Sequence, residues 1–431
     1  MKLKRIILMT ILALLPVISG CADSIGGDTS GVFNSSLTKY SDDSSTAPFD
    51  MVSAPISPES PKLQYLGTRD ITSSDAYELY IKTYAPDLDG DVIEWERVSS
   101  GKLASRLTER ISADLSPDLC DKLDNSLTLL TKKNLYEDLT EYIDITAPQW
   151  VPYAEYITSS GTGKGRYFYP TEIIVSPYLL LYRKNAFLSD PLSLWRDGEW
   201  TISALRRTSG SNSVIGGSAV AENLLASGGK MLFSVDKNGR VTSNLHSESF
   251  FQSAALIAEL ASYSVENRSE NEVEQLRNGN ISFLSITEER LAEIRCDYPE
   301  EEFEIVPYPR GDNADEYYYY ALAEGYLVPK RAKNIKGAAS FINCSRIAAQ
   351  SDSAPDYLLE SDIITLSEVR SAELSQAVFD TNYCLDDAAN SAAADIIAEI
   401  FTNGADNQAL DEFIKKIEAP VIRAISEINQ S

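Results

Sequence analysis

Two observations predict a mixed α/β protein of two lobes with a cleft between them. Short apolar runs alternate with amphipathic helical stretches along most of the chain, and such a β-α-β-α order folds into parallel strands flanked by helices. About 370 residues remain beyond a polar N-terminal stretch, enough for two lobes of ordinary domain size.

The chain starts with a cationic head, Met1-Lys2-Leu3-Lys4-Arg5, followed by an apolar run from Ile6 to Ile18 broken only by Thr10 and Pro16. A run of that length cannot span a ~30 Å hydrocarbon core as a helix, and small residues close it, so it is expected to be an export signal. Its end, Val17-Ile18-Ser19-Gly20-Cys21, resembles the lipobox of bacterial lipoproteins. That resemblance implies cleavage before Cys21 and lipidation of Cys21, with the membrane as a partner through that lipid; the alternative is an ordinary signal peptide with an incidental cysteine. Residues 1–20 are therefore expected to be a signal peptide. Residues 21–60, rich in Ser, Asp, Gly, Thr and Pro, are expected to be a flexible tether.

In the body, Lys62–Leu66 predicts a first strand, and Ser74 or Asp75 caps a helix that Ala85-Pro86 stops near Tyr84. Asp91–Glu96 predicts a second strand. Leu103, Leu107 and Ile111 recur every four residues, the spacing of one helix face. A short strand near Leu119 and a helix over Asp124–Thr131 follow, then strands at Arg166–Pro170 and Tyr178–Tyr182. Phe250, Ala254, Ile257 and Ala261 mark a helix from Ser247 to Ser262. Ile281–Leu284, Phe303–Val306 and Tyr326–Val328 predict further strands. The last ~100 residues are expected to be helical, ending in one stripe of Ile414, Ile417, Val421 and Ile425.

Composition narrows the function. The net charge of -26 argues against a nucleic-acid partner and leaves membrane anchoring to a lipid. Cys120, Cys296, Cys344 and Cys384 show no CxxC spacing, so no zinc site is expected; they can form up to two disulfides or remain buried thiols, the preferred reading. The single histidine, His246, supports no Ser-His-Asp or Cys-His set, and HExxH, P-loop and GxGxxG patterns are absent. No catalytic residue, metal or cofactor is expected.

A resemblance then appears in the order of weak motifs. Ser116-Pro117-Asp118-Leu119, Asn134–Leu139, Gly165–Pro170, Leu181–Phe187, Gly198–Thr201, Gly228-Gly229, Asn278–Phe283, Val306–Gly311, Glu324–Lys330 and Ala338–Phe341 follow one another as in the family 1 extracellular solute-binding proteins, the group that contains maltose-binding protein. None is specific alone; ten in order behind a lipobox are. The resemblance implies a two-lobed periplasmic-binding-protein-like fold with a hinge, a small-molecule ligand in the interlobe cleft, an ABC importer permease as partner and a monomeric state. It places lobe one at residues 61–169 and 306–349 and lobe two at 170–305 and 350–431.

Carried onto this sequence, the family's cleft loops fall at Arg69 and Asp70 after the first strand, Lys122 and Asn125 past Pro117-Asp118, Glu172 and Tyr178 at the lobe crossing, Glu288 after the Ile281 strand, and Tyr326 after Glu324-Gly325. Trp150 in its loop is a candidate aromatic platform, because sugar rings stack on Trp and Tyr. Each has a bland alternative: Asp70 a solvated turn, Tyr326 the core, Glu172 a surface carboxylate. Missing aromatics elsewhere keep a zwitterionic ligand open beside an oligosaccharide. Ligand capture for an importer is the leading reading. A sensing or adhesive surface lipoprotein of the same fold is the alternative, and an acid/base glycosidase ranks third.

Overall fold

Strand β1 (Leu63–Gly67) sends Leu63 and Tyr65 into one core and Leu66 into another, the period-2 alternation of a strand covered on both faces. This protein's structure is a computed structural model; it describes residues 60–430 apart from 89–90, 123–133, 161–164, 185, 210–214, 236–239, 262–271, 351–357, 372–373 and 380–386. Cys21, Asn125, Cys384 and the helix expected over Asp124–Thr131 lie outside the described residues.

Helix α1 (Asp75–Tyr84) follows, with Ser74 as N-cap accepting from the Tyr77 amide at 3.2 Å. It buries Tyr80 against Phe341, ring centroids 5.6 Å apart. β2 (Ile93–Arg97), α2 (Ser100–Ser112) and β3 (Leu119–Asp121) come next, and both new strands pair parallel with β1. Leu103, Leu107 and Ile111 of α2 are buried on the sheet's second face. Asp118, before β3, ties three segments together. Its carboxylate accepts from the amides of Gln64 (3.0 Å), Lys333 (3.1 Å) and Asn334 (2.8 Å). Past α3 (Ala154–Ser160), β4 (Tyr169–Val175) joins the same sheet.

The chain then crosses. β5 (Leu179–Arg183) starts a second sheet of order β10 (Phe303–Val306), β5, β9 (Phe283–Ile286), β6 (Ile215–Gly217). Into it feed α4 (Pro191–Arg196), α5 (Ile202–Ser209), β6 (Ile215–Gly217), α6 (Val220–Ser227), the hairpin β7 (Phe233–Val235) and β8 (Val241–Ser243), α7 (Glu248–Ala261), α8 (Glu272–Arg277), β9 (Phe283–Ile286), α9 (Glu288–Asp297) and β10 (Phe303–Val306). Trp200, fully buried, donates its indole N–H to the Pro307 carbonyl at 2.9 Å.

β11 (Tyr319–Leu327) returns to the first sheet, antiparallel to β3 and β4. It is far longer than the Tyr326–Val328 strand expected. Gly325 explains the difference: at φ 156 it carries the bulge between Glu324 and Gly325, and a Cβ there would meet the Phe168 ring at 3.0 Å. α10 (Ile335–Ala349) packs on α1 through the shared core of Tyr80 and Phe341. α11 (Glu360–Arg370) covers the second sheet, and β12 (Ala377–Phe379) pairs with the start of β11. Both sheets thus have helices on both faces. The first sheet keeps residues 170–175 and 377–379, which the expected lobe limits put in lobe two, because β4 and β12 both hydrogen-bond to β11.

The expected single C-terminal stripe is two helices after α12 (Asp387–Asn403): α13 (Asn407–Ile417) and α14 (Ala419–Gln430). Pro420 lacks an amide and its ring clashes with the preceding turn, so one helix cannot run through. Leu410, Ile414, Val421, Ala424 and Ile428 are buried with α7 and α12. Cys120 and Cys344 are buried free thiols and Cys296 is an exposed one.

His246 sits between two carboxylates of this region, Nδ1 2.9 Å from Asp411 and Nε2 2.7 Å from Glu418, with Lys415 bonded to Asp411. Hydrogen bonds donated to both carboxylates, Glu418 first, raise its pKa. A raised folded-state pKa stabilises fully below the unfolded value of about 6.5, and that contribution is lost as pH rises through the folded value. With the side chain 43% exposed, the effect is expected to stay within about 0–1 kcal/mol. The difference in urea stability between wild type and His246→Gln should shrink as pH rises above this window; a pH-independent difference would contradict it.

Candidate functional site

The sheet registers show where the strand ends meet. β1 ends at Gly67 beside Arg97, and β3 ends at Asp121 beside Tyr326. β4 pairs Tyr169 with Tyr326 and runs on to Val175 opposite Ala321, leaving the first sheet past the carboxyl ends of its parallel strands. β5 begins at Leu179 opposite Ile286, the last residue of β9, and β6 ends at Gly217 opposite Ser285. The carboxyl ends of the parallel strands in both sheets therefore point to the crossing from opposite sides, the place where α/β folds collect ligands.

On the first wall Asp121 organises the loop after β1. It accepts from the Tyr65 hydroxyl and from the Thr68 amide (2.7 Å) and hydroxyl (2.8 Å). Gly67 makes room for Tyr65 here: a Cβ would stand 1.9 Å from the Tyr65 hydroxyl oxygen, so that ring would have to shift. Trp95 donates its indole N–H to the Gly67 carbonyl at 3.2 Å. Arg69 is exposed on this wall. Desolvation works against its charge, but Tyr326, then Glu324 and Asp121, more than offset this and its pKa is raised. Tyr326 stands edge-on to Tyr65, centroids 6.1 Å apart, and burial raises its phenol with Arg69 opposing. Lys122 spans to the Ala323 carbonyl at 2.7 Å and lies 5.4 Å over the Phe168 ring.

On the second side Tyr178 is half-buried, backed by a buried layer of Tyr308, Tyr320 and Ser285. Tyr178 and Tyr320 rings lie 6.2 Å apart at the crossing. Tyr308 is buried near Ser285, Glu222 and Tyr178. The Ser285 hydroxyl donates to the Ser218 carbonyl at 2.6 Å. Glu288 opens α9 just after the Thr287 N-cap and is bonded to Arg370; burial pushes its carboxyl above the usual range, with Arg370 pulling it down.

Arg69 and Lys122 thus lie on one wall. Tyr326 lies behind them, packed in the first lobe's core against Phe341 at 5.6 Å, which is the alternative its sequence position left open. Glu172 lies directly across from Glu324 on the crossing strands. Tyr178 and Glu288 belong to the other wall. Two further expected residues are placed otherwise. Trp150 is 0% exposed in the first lobe's core, its ring edge-on to Tyr169 at 5.4 Å and its N–H donated to Asn343 at 3.0 Å; a buried partner for the indole lets it leave the surface. The Asp70 carboxylate turns onto its own loop, accepting from the Thr72 amide (2.9 Å) and hydroxyl (2.7 Å). Asp121, Glu222, Tyr308 and Tyr320 are not among the residues that sequence reasoning singles out. The strand-end rule applied one residue earlier than Lys122 finds Asp121; Tyr308 lies within the Val306–Gly311 motif without being singled out, and no local pattern marks Glu222 or Tyr320. Among the described residues no cluster of three or more His, Cys, Asp or Glu side chains could hold a metal, and no helix is long and apolar enough to cross a membrane.

Residues 71–345 match the family model of the bacterial extracellular solute-binding proteins, well over half of the 431-residue chain. The chain belongs to this family. Solved structures extend the match to the fold. An ABC substrate-binding protein from Listeria monocytogenes, in complex with cycloalternan, is similar with a TM-score of 0.54 at 13% identity over 83% of this chain and 98% of that one. A cyclic α-maltosyl-1,6-maltose-binding protein from Arthrobacter globiformis gives 0.57 at 15% identity, covering 85% and 99%. The galacto-N-biose/lacto-N-biose I-binding protein of an ABC transporter from Bifidobacterium longum, in complex with lacto-N-biose, gives 0.57 at 13%, covering 85% and 98%. No curated protein sequence matches this solute-binding protein.

Proposed function

We propose that this solute-binding protein captures a carbohydrate outside the cell for an ABC importer, without chemistry of its own, while a lipid on Cys21 holds it at the membrane by the tether 21–60. The observation that carries the ligand class is the pairing of the two walls. Charged groups around Arg69 and Asp121 stand at the strand ends on one side of the crossing, and the half-buried Tyr178, its ring 6.2 Å from that of Tyr320, stands on the other. Sugars need both: hydrogen-bonding groups for hydroxyls and flat apolar faces for C–H surfaces. The oligosaccharide complexes among the structural neighbours support the same reading. Glu172 and Glu288 would add polar contacts, one from the crossing strand and one from the second wall. Ligand touching both walls stabilises the closed form, with the lobes turning about the crossings near Val175 and Tyr319. The one histidine is paired with Asp411 and Glu418, which weighs against a Ser-His-Asp or Cys-His catalytic set.

Thermal-shift and calorimetric screening of oligosaccharides, amino acids and peptides against the chain from Ala22 onward tests this. A sugar present at 100 times its Kd should add about 2.7 kcal/mol of stability. Response only to amino acids or peptides would overturn the carbohydrate assignment, and turnover of a bound oligosaccharide would overturn the non-catalytic one. Substituting Cys21→Ala is expected to abolish lipid labelling and release the protein from the membrane fraction, because acyl chains contribute about 0.8 kcal/mol per buried CH₂; unchanged retention would refute the anchor.

A further inference from the structure

A cavity of about 290 Å³ lies on the flank of the first lobe, away from the cleft. Its walls include Tyr84 and Lys336. Tyr84 ends α1 on the way to the start of β2. Lys336 follows Asn334, whose amide reaches the Ser60 and Lys62 carbonyls at the start of β1. Both residues therefore sit toward the amino ends of the parallel strands, whereas the cleft lies at their carboxyl ends.

Three features shape what the cavity can hold. Its size falls just below the ~300–1,000 Å³ usual for ligand pockets, which leaves room for one ring at most. Asn343 on its wall is held in one orientation, because its carboxamide oxygen accepts from Gln149 Nε2 at 2.9 Å and from Trp150 Nε1 at 3.0 Å. That leaves its amide N–H₂ as the group Asn343 can offer a ligand from the cavity lining. Finally, the lining pairs cations Arg166 and Lys336 with carboxylates Glu141 and Asp144, beside the aromatic surface of Tyr84 and Tyr142. Balanced charges disfavour an anion or a cation equally. Aromatic surface beside fixed donors and acceptors favours a neutral, polyhydroxylated ring.

We infer that this flank cavity is a second binding site for a single hexose-sized sugar, independent of the cleft. The test uses saturation-transfer NMR of the protein with D-glucose, D-galactose, D-mannose and N-acetyl-D-glucosamine. Wild type is compared with the cleft variant Arg69→Ala and two cavity variants. Glu141→Trp fills the mouth from an exposed position; Asn343→Asp keeps an oxygen for Gln149 and Trp150 but replaces the donor with an acceptor. At least one hexose should give a signal that survives Arg69→Ala and is lost in both cavity variants. If Asn343→Asp melts early by circular dichroism, Glu141→Trp decides alone. The inference is overturned if no hexose binds the wild type, or if binding is lost in Arg69→Ala and kept in the cavity variants. Because the cleft reading is tested with oligosaccharides and this one with single rings in an Arg69→Ala background, either can fail without the other.

Discussion

Arg295→Leu is expected to lower the unfolding free energy by about 3–5 kcal/mol, the cost of breaking one side of a buried ion pair. Arg295 on α9 grips Asp362 on α11 with two hydrogen bonds, Nε at 2.9 Å and Nη2 at 2.8 Å, and Nη2 also reaches the Phe303 carbonyl at 3.1 Å. The two side chains are only 6% and 2% exposed, so water cannot replace the lost partner. Leucine would leave a carboxylate buried without a counter-charge. Asp362 also accepts from the Leu359 amide at 3.1 Å, so α11 should loosen at its first turn. Urea unfolding followed by circular dichroism reads the loss. The double change Arg295→Leu with Asp362→Leu should recover part of it, since two apolar side chains no longer bury a charge. A single variant as stable as wild type would contradict the buried-pair account.

Arg69→Ala is expected to weaken binding of the cleft ligand roughly ten- to a hundredfold. A hydrogen bond to a charged group contributes about 1.5–3 kcal/mol when its surroundings exclude water, and each 1.4 kcal/mol is a factor of about ten. Arg69 is exposed, and the loop around it is anchored by Asp121 through Thr68, with the guanidinium adding one hydrogen bond to Tyr326. The melting temperature without ligand should therefore hardly move, while calorimetric affinity for the sugar drops. Arg69→Lys should fall between, because an ammonium keeps the charge but not the planar fork. An unchanged affinity would show that the ligand does not use the first wall, and with it would go the site assignment carried from the family motifs.

How much of the site is legible in the sequence is best seen at particular residues. Arg69 and Lys122 are legible because each sits at a strand end that the motif order marks. Glu172 is expected at the crossing, where the structure puts it opposite Glu324. Trp150 is not legible, because its loop reads as exposed; only Asn343, far along the chain on α10, supplies the acceptor that lets the indole be buried. The division of the last helices is written in Pro420, but the apolar stripe running past it hides the break. β11 reads short because Glu324-Gly325 looks like a loop, and the bulge that keeps it in the sheet exists only against Phe168 and β4.

By itself the sequence determined what is local. Ser74 can cap a helix, Leu103, Leu107 and Ile111 can share a face, and Ala85-Pro86 can stop a helix, because these depend on residues within one or two turns. The tertiary structure alone decided which side chains meet. Asp121 holds Tyr65 and Thr68 across separations of 56 and 53 residues. Tyr178 meets Tyr320, and Glu288 meets Arg370 across 82. Such partnerships follow from strand register and lobe crossing, and no local spacing encodes them, because the chemistry of a cleft is assembled from the ends of strands that are distant along the chain.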